Sequence, residues 1–278
     1  MPQPFRLAGR EEYPADLVVE VSGLRFGGSD LIVIAGPCSV EGEETYLRSA
    51  KMIKAGGANM LRGGAFKPRT SPYSFQGLGR EGLRILAAAR KETGLPVVTE
   101  VLDVRDLDAV AEVADLLQVG ARSMQNFPLL KELGRMRKPV LLKRGLCATV
   151  EEWLLAAEYI LLAGNPRVVL CERGQRQDRA SQRCALDLAA LPLVRRLSRL
   201  PLIVDPSHAA GDRSQVGPLA QAAVEAGAHG LLIEVHENPE AALSDSAQSL
   251  HLDEFRALIG RLSTQAAGLG RKLARPVS

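Results

Sequence analysis

Little in this sequence offers any means of holding the chain together other than an apolar core. Its four cysteines, Cys38, Cys147, Cys171 and Cys184, form no CxxC pair and no closely spaced framework, which excludes a disulfide scaffold and a zinc finger. In a reducing cytosol they are thiols, and the plain reading of each is a small buried apolar residue. Cys38 is set apart below. Aromatic residues are only 4%, the net charge is only +3 (35 Lys+Arg against 32 Asp+Glu), and no basic run is interleaved with aromatics. A nucleic-acid footprint is thereby excluded, and local Arg and Lys clusters point to small anions. Long hydrophobic runs are missing too. Leu31 to Ala35 and Val168 to Cys171 fall far short of the roughly 20 residues a membrane helix needs. The first residues, MPQPFRLAGREEYP, lack the apolar centre of a secretory signal. A cytoplasmic enzyme with small-molecule partners, and no membrane, is the expectation.

What is present is ordinary globular material, 46% hydrophobic and 24% charged over 278 residues, enough for two small domains or one large α/β domain. Short apolar runs recur at Leu31–Ala35, 59–61, Val97–Glu100, Leu116–Val119, Val140–Lys143, 168–171, Leu202–Val204 and 231–235. Each is rich in Val, Ile or Leu, as parallel strands buried on both faces are. Amphipathic stretches lie between them, among them 45–54, 83–92, 104–114 and 151–162. The last carries a wide apolar stripe that takes in Trp153 and Tyr159, and Thr149 with Glu152 forms a capping box at its start. Eight strands alternating with helices over about 250 residues predict a (β/α)8 barrel. A doubly wound open sheet is the alternative, but no GxGxxG follows the first strand. The barrel is expected over 31–270. Residues 1–30 form an extension whose hairpin, read from Asp16–Val21, Gly23 and the Gly27-Gly28 turn, closes the bottom. A final helix after Leu252 frays near Arg275, leaving a flexible tail at 271–278.

In such a barrel the chemistry sits where the strands end, and charged residues follow nearly every run. One group is cationic: Arg62, Lys67, Arg69, Arg122, Lys143 and Arg173. Six positive charges at one mouth repel unless anions sit among them, and Arg suits phosphate or carboxylate. More than one anionic group is implied. The other group is Cys38, His208, Glu234 and Asp245, a thiolate, an imidazole and two carboxylates, which suit Mn2+, Fe2+, Co2+ or Zn2+. From the residues alone, His236 competes with His208. His229 and His251 read as structural. Beyond Arg173, the arginines at 176, 179 and 183 read as solvated or as subunit contacts.

At these residues the chain resembles the 3-deoxy-D-arabino-heptulosonate 7-phosphate (DAHP) synthases, in particular the short microbial β-type subgroup that lacks a regulatory domain. The likeness runs from about Leu31 to Leu252, through IAGPCSVE (34–41), LRGGAFKPRTSPYSFQGLG (61–79), GARSMQNF (120–127), LLKRG (141–145), CERG (171–174), DPSHAAG (205–211), IEVH (233–236) and LSDSAQSL (243–250). It implies condensation of phosphoenolpyruvate with erythrose 4-phosphate and water, releasing phosphate, at the entry to the shikimate pathway. Carbon C3 attacks the aldehyde, water adds at C2, and the hemiketal phosphate collapses. The resemblance further implies one divalent metal ion per subunit on Cys38, His208, Glu234 and Asp245, which selects His208 over His236. It places phosphoenolpyruvate on Arg62, Lys67, Arg122, Lys143 and Arg173, and the sugar phosphate on Arg69 and Thr70, with Asp205 also in the substrate site. Lys67 is the expected proton-transfer residue and Glu172 the weaker one, while Cys38 and His208 serve catalysis as ligands. A homo-oligomer, tetramer or dimer, is expected, with no feedback inhibition by Tyr or Phe.

The nearest rival is 3-deoxy-manno-octulosonate 8-phosphate synthase, which takes arabinose 5-phosphate and typically reads Lys-Ala-Asn-Arg-Ser where this chain has Lys67-Pro68-Arg69-Thr70. Metal-free members of that family carry Asn in place of the cysteine, so Cys38 implies metal dependence. Ser123, Cys147 and the stretch 175–178 depart from the usual β-type pattern without touching an implied role. A barrel that binds phosphosugars without turnover is the non-enzyme alternative.

Overall fold

The computed structural model of the chain describes residues 4–176 and 184–275. Eight strands, β3 (Ile32–Gly36), β4 (Met60–Arg62), β5 (Val97–Glu100), β6 (Leu116–Val119), β7 (Val140–Lys143), β8 (Val168–Glu172), β11 (Leu202–Val204) and β12 (Gly230–Glu234), close into one parallel barrel, with β12 pairing back onto β3. The open-sheet alternative is thereby excluded. Every strand residue except Glu100 is buried, which is why the strands read as mostly apolar runs and not as alternating ones. Helices α1 (Glu43–Ala55), α2 (Arg80–Thr93), α3 (Leu107–Val113), α4 (Phe127–Arg135), α5 (Val150–Leu162), α6 (Ala190–Leu197), α8 (Arg213–Glu225) and α9 (Leu252–Gly268) follow the strands, with a short α7 (Pro206–Ala210) after β11. The box at the start of α5 is formed. Thr149 Oγ1 accepts from the Glu152 amide at 3.1 Å, and Glu152 Oε2 accepts from the Thr149 amide at 2.7 Å.

Alternate side chains go inward and outward. Val33, Leu61 and Val97 join the helix-facing core. Ile32, Ile34, Met60, Val98 and Leu141 fill the barrel, and they form one cluster with Val19, Val21, Leu24 and Phe26 of a hairpin, β1 (Val19–Val21) and β2 (Leu24–Phe26). The hairpin therefore plugs the amino-terminal end. Its turn is Ser22-Gly23, both at positive φ (47° and 83°), as a tight two-residue hairpin turn requires; the Gly27-Gly28 pair lies after the second strand. Ser22 Oγ donates to Asp115 Oδ1 at 3.0 Å, just ahead of β6, while Asp115 Oδ2 accepts from the Val97 amide at 2.9 Å.

Three elements differ from the sequence reading. The stretch 104–114 is a 3-10 turn, Val104–Asp106, followed by α3, because the Asp103 side chain accepts from the Arg105 amide at 2.9 Å and starts the turn early. The last helix stops at Gly268, and Gly270 has φ +68°. Residues 272–274 then run beside β3, with Leu31 N donating to Lys272 O at 2.8 Å and Ala274 N to Leu31 O at 2.9 Å. Residues 276–278 lie outside the described residues. The stretch after Arg173, read as a loop, contains a two-residue ladder, β9 (Gln175–Arg176) with β10 (Cys184–Ala185). Positions 179 and 183 lie outside the described residues.

Candidate active site

The carboxyl ends of the strands surround a cavity of about 520 Å³ whose wall includes Lys67, Arg69, Thr70, Glu100, Arg122, Lys143, Arg173, His208 and Asp245. Parallel strands of one barrel all end at the same rim, so residues far apart in the sequence meet there. Arg62 and Cys38 lie at the rim's inner edge, both almost fully buried.

Cys38, His208, Glu234 and Asp245 each bring a ligand atom into one cluster, all four atoms within 4.8 Å of one another. Cys38 Sγ donates to Asp245 Oδ2 at 2.8 Å. His208 Nε2 lies 3.3 Å from Glu234 Oε1 and 3.8 Å from Asp245 Oδ2. The other imidazole nitrogen, Nδ1, is 2.7 Å from Asp205 Oδ2, which fixes the ring so that Nε2 faces the cluster. Glu234 is held by Arg62 at 2.5 Å and by Gln248 Nε2 at 2.6 Å. Asp245 sits in the left-handed region (φ 52°), which Asp tolerates better than most residues.

This donor set fits a borderline divalent cation: one sulfur, one nitrogen and two carboxylates, two of the four residues deeply buried and close enough to share one ion. The local charges agree. Burial would raise Asp245, but His208, Cys38 and Lys67 bring it down to about 2. Burial would also raise Glu234, and His208 with Arg62 outweighs it, holding the carboxyl below its ordinary range. Burial, then Glu234, push the Cys38 thiol up to about 12. His236 is elsewhere, its Nε2 3.6 Å from Glu41 Oε2 and its Nδ1 accepting from the Asn238 amide. His229 accepts from the Leu202 amide through Nδ1, and His251 lies 3.1 Å from Glu240 at the start of α9.

The cations divide into two sets. Arg62 and Lys143 are paired with Glu234 and Asp205, each at 2.5 Å and each nearly buried. Lys67 Nζ is 2.7 Å from Cys38 Sγ; burial opposes its charge, yet the sulfur beside it leaves its pKa raised overall. Arg69, Arg122 and Arg173 line the cavity and, among the described residues, pair with no carboxylate. Asp205 is fully buried, bonded to both Lys143 and His208, and is held well below the carboxylate range by them despite its burial. It braces the site from behind. Glu172 is also fully buried, with Oε2 2.9 Å from Arg144 and Oε1 accepting from the Gly174 amide at 2.7 Å. Both of its oxygens are engaged away from the cavity.

Several placements correct the sequence reading. Arg176 lines the cavity, because β9 folds over the β7 loop with its amide donating to Leu146 O at 2.7 Å. Cys147 is exposed, and Cys184 lines the cavity with Arg173 Nη1 3.3 Å from its sulfur. Tyr159 is 37% exposed and stacks on Phe127 with centroids 4.6 Å apart, so it lies on the edge of the α5 stripe and not under it. Trp153 is fully buried, donating to Leu142 O. Sequence reasoning did not single out Gln118, whose Nε2 holds Glu100 Oε2 at 2.9 Å. The polar break it makes in the apolar run 116–119 was the available signal.

A sequence model of the DAHP synthetase I family matches residues 16–266. Phospho-2-dehydro-3-deoxyheptonate aldolase of Thermotoga maritima is 49% identical over 98% of this chain and 80% of its own. A 2-dehydro-3-deoxyphosphooctonate aldolase of Syntrophobacter fumaroxidans is 33% identical over 87% of this chain and 90% of its own. The crystal structure of the Thermotoga maritima aldolase, a DAHP synthase, superposes with TM-score 0.95 at 48% identity, covering 99% of this chain and 80% of that one. A truncated form of 3-deoxy-D-arabino-heptulosonate 7-phosphate synthase from that organism gives 0.91 at 45% identity, covering 97% of this chain and 99% of that one. With a family match across nearly the whole barrel, this chain is an enzyme belonging to the DAHP synthetase I family.

Proposed function

We propose that this enzyme condenses phosphoenolpyruvate with erythrose 4-phosphate and water to give 3-deoxy-D-arabino-heptulosonate 7-phosphate and phosphate, in a metal-dependent reaction. The observation that carries this reading is one cavity lined by arginines with no carboxylate partner among the described residues, opening beside a cluster of Cys38, His208, Glu234 and Asp245. Two phosphates and a carboxylate are what such a set of cations matches.

In this reading Arg122, Lys143 and Arg173 hold phosphoenolpyruvate, with Arg62 below them, while Arg69 and Thr70 take the sugar phosphate at the outer wall. Holding both substrates in attacking geometry lowers the entropic barrier, and the fixed cations offset charge that moves as C3 bonds to the aldehyde carbon. Lys67 Nζ is the proton donor to the aldehyde oxygen, because among the described residues its ammonium touches the quartet directly, 2.7 Å from the Cys38 sulfur. Asp205 keeps Lys143 and His208 in place. Bound at the quartet, a divalent ion supplies Lewis-acid polarisation of the aldehyde.

The Lys67–Thr70 segment favours the four-carbon sugar. A second reading, arabinose 5-phosphate as acceptor, draws on the relatives named 2-dehydro-3-deoxyphosphooctonate aldolase. Phosphate release with Mn2+, phosphoenolpyruvate and each sugar in turn decides between them: release with arabinose 5-phosphate alone overturns the first reading, and release with neither leaves a binding barrel. The same assay is expected to be indifferent to Tyr and Phe. We assign the enzyme to the cytoplasm, where both phosphorylated substrates are found; no described helix is long and apolar enough to cross a membrane. Leu162 (80% exposed) and the Phe127–Tyr159 stack support a homo-oligomer, which a single-chain mass in light scattering would refute.

A further inference from the structure

We propose that the buried Arg144–Glu172 pair, joined by Asp187, is a positioning device that aims the two cavity cations beside it, Lys143 and Arg173, and takes no part in proton transfer. The inference rests on the function proposed above and assigns a role to residues outside the substrate cavity.

Arg144 follows Lys143 at the end of β7, and Glu172 precedes Arg173 at the end of β8. Lys143 and Arg173 line the cavity; Arg144 and Glu172 turn behind its wall, with side chains 6% and 0% exposed. Arg144 Nη1 is shared between Glu172 Oε2 at 2.9 Å and Asp187 Oδ2 at 3.0 Å, and its Nε donates to Ala148 O at 2.9 Å. One guanidinium thus fastens the β7 loop, the end of β8 and the segment leading from β10 to α6. The other Glu172 oxygen accepts from the Gly174 amide at 2.7 Å. Gly174 has φ +89°, and a Cβ there would come within 3.0 Å of Ala209 Cα, so the chain turns sharply under Arg173 and the carboxylate fixes that turn. Gln175 Nε2 donates to Gly145 O at 3.0 Å, completing the tie between the two loops.

A buried ion pair is a poor device for stability, since desolvation offsets most of its attraction and apolar pairs do as well. The barrel does not depend on it for pairing, because β7 and β8 already share a four-residue ladder. What the pair supplies is direction: a cation displaced by about 1 Å loses most of its value to a bound anion. Both Glu172 oxygens are bonded behind the wall, and Glu172 is not among the residues that line the cavity.

The test is Glu172→Gln, whose amide keeps the Gly174 contact but sets a donor against Arg144. The dissociation constant for phosphoenolpyruvate alone, measured by calorimetry without sugar, is expected to rise at least tenfold. The KM for erythrose 4-phosphate should stay within twofold and the kcat–pH profile should keep its shape. An unchanged dissociation constant overturns the proposal, as does loss of a limb of the pH profile with phosphoenolpyruvate affinity intact. Should E172Q fail to fold, Asp187→Asn, at a carboxylate 35% exposed, decides: a threefold or greater rise supports the proposal and no rise overturns it. Failure of the functional reading is seen separately, in a wild-type enzyme that neither binds phosphoenolpyruvate nor releases phosphate.

Discussion

At Cys38 two demands of a single atom conflict. Burial and Glu234 oppose ionisation of the thiol, while a transition metal requires the thiolate. Lys67 and Arg62 offset this in part, and in the metal-dependent reading proposed above a divalent ion among the four donors would supply the rest, so Cys38→Ala is expected to lower kcat at least a thousandfold. The melting temperature should move by no more than a few degrees, since the change removes one small buried atom. Undiminished turnover by the variant in the presence of a chelator would contradict the metal assignment. A different residue contributes to acid stability. His229, at the amino end of β12, is brought down to about 4 by burial first and then by Arg195 and Arg271, with Asp16 opposing. In the fold it is neutral; in the unfolded chain it takes up a proton near its ordinary value of about 6.5. The unfolded state therefore binds more protons over that window, and its contribution, complete above about pH 6.5, is lost as the pH falls toward 4, by about 3 kcal/mol. His229→Asn keeps an acceptor for the Leu202 amide and should flatten this dependence; identical urea-denaturation losses between pH 7.5 and 4.5 in both proteins would refute the claim.

Among the elements, the amino-terminal hairpin makes the clearest case. Phe26 is fully buried in one cluster with barrel residues, so Phe26→Ala is expected to cost about 3–5 kcal/mol in chemical denaturation. The dissociation constant for phosphoenolpyruvate should stay near its wild-type value, because the plug and the cavity are at opposite ends of the strands. A large affinity loss at unchanged stability would contradict this division. The same elements explain what could be read in advance. Val97–Glu100, Leu116–Val119, Val140–Lys143 and Leu202–Val204 were legible to the residue, because burial on both faces writes a mostly apolar run with few polar residues in it. The set of rim residues followed from them, since a parallel barrel puts all its strand ends at one side. Tyr159 was misplaced because α5 is apolar around so much of its circumference that no edge is marked. Arg176 was missed for a different reason: its place depends on the pairing of β9 with β10 and on a bond to Leu146 O, contacts that no local pattern encodes. The hairpin turn moved from Gly27-Gly28 to Ser22-Gly23, since either glycine site satisfies the composition and the pairing of Val21 with Leu24 distinguishes them.

Over the whole molecule, the two ends of the barrel have divided the work. The hairpin and residues 272–274 occupy the amino-terminal end, and charge gathers at the other. Within the charged end, depth differs between residues. Arg62 and Lys143 are nearly inaccessible, whereas Arg69 is half-buried and Thr70 is exposed. Among the described residues the lower end is stoppered and the cavity opens at the other, so an inner seat is best filled before an outer one. If the substrates sit as proposed above, traffic through it is a queue: phosphoenolpyruvate would enter first, the sugar phosphate would close in behind it, and the products would leave past the same threshold. Steady-state kinetics should accordingly be sequential and ordered, with an inert sugar-phosphate mimic uncompetitive toward phosphoenolpyruvate; a noncompetitive pattern would mean that the seats fill independently.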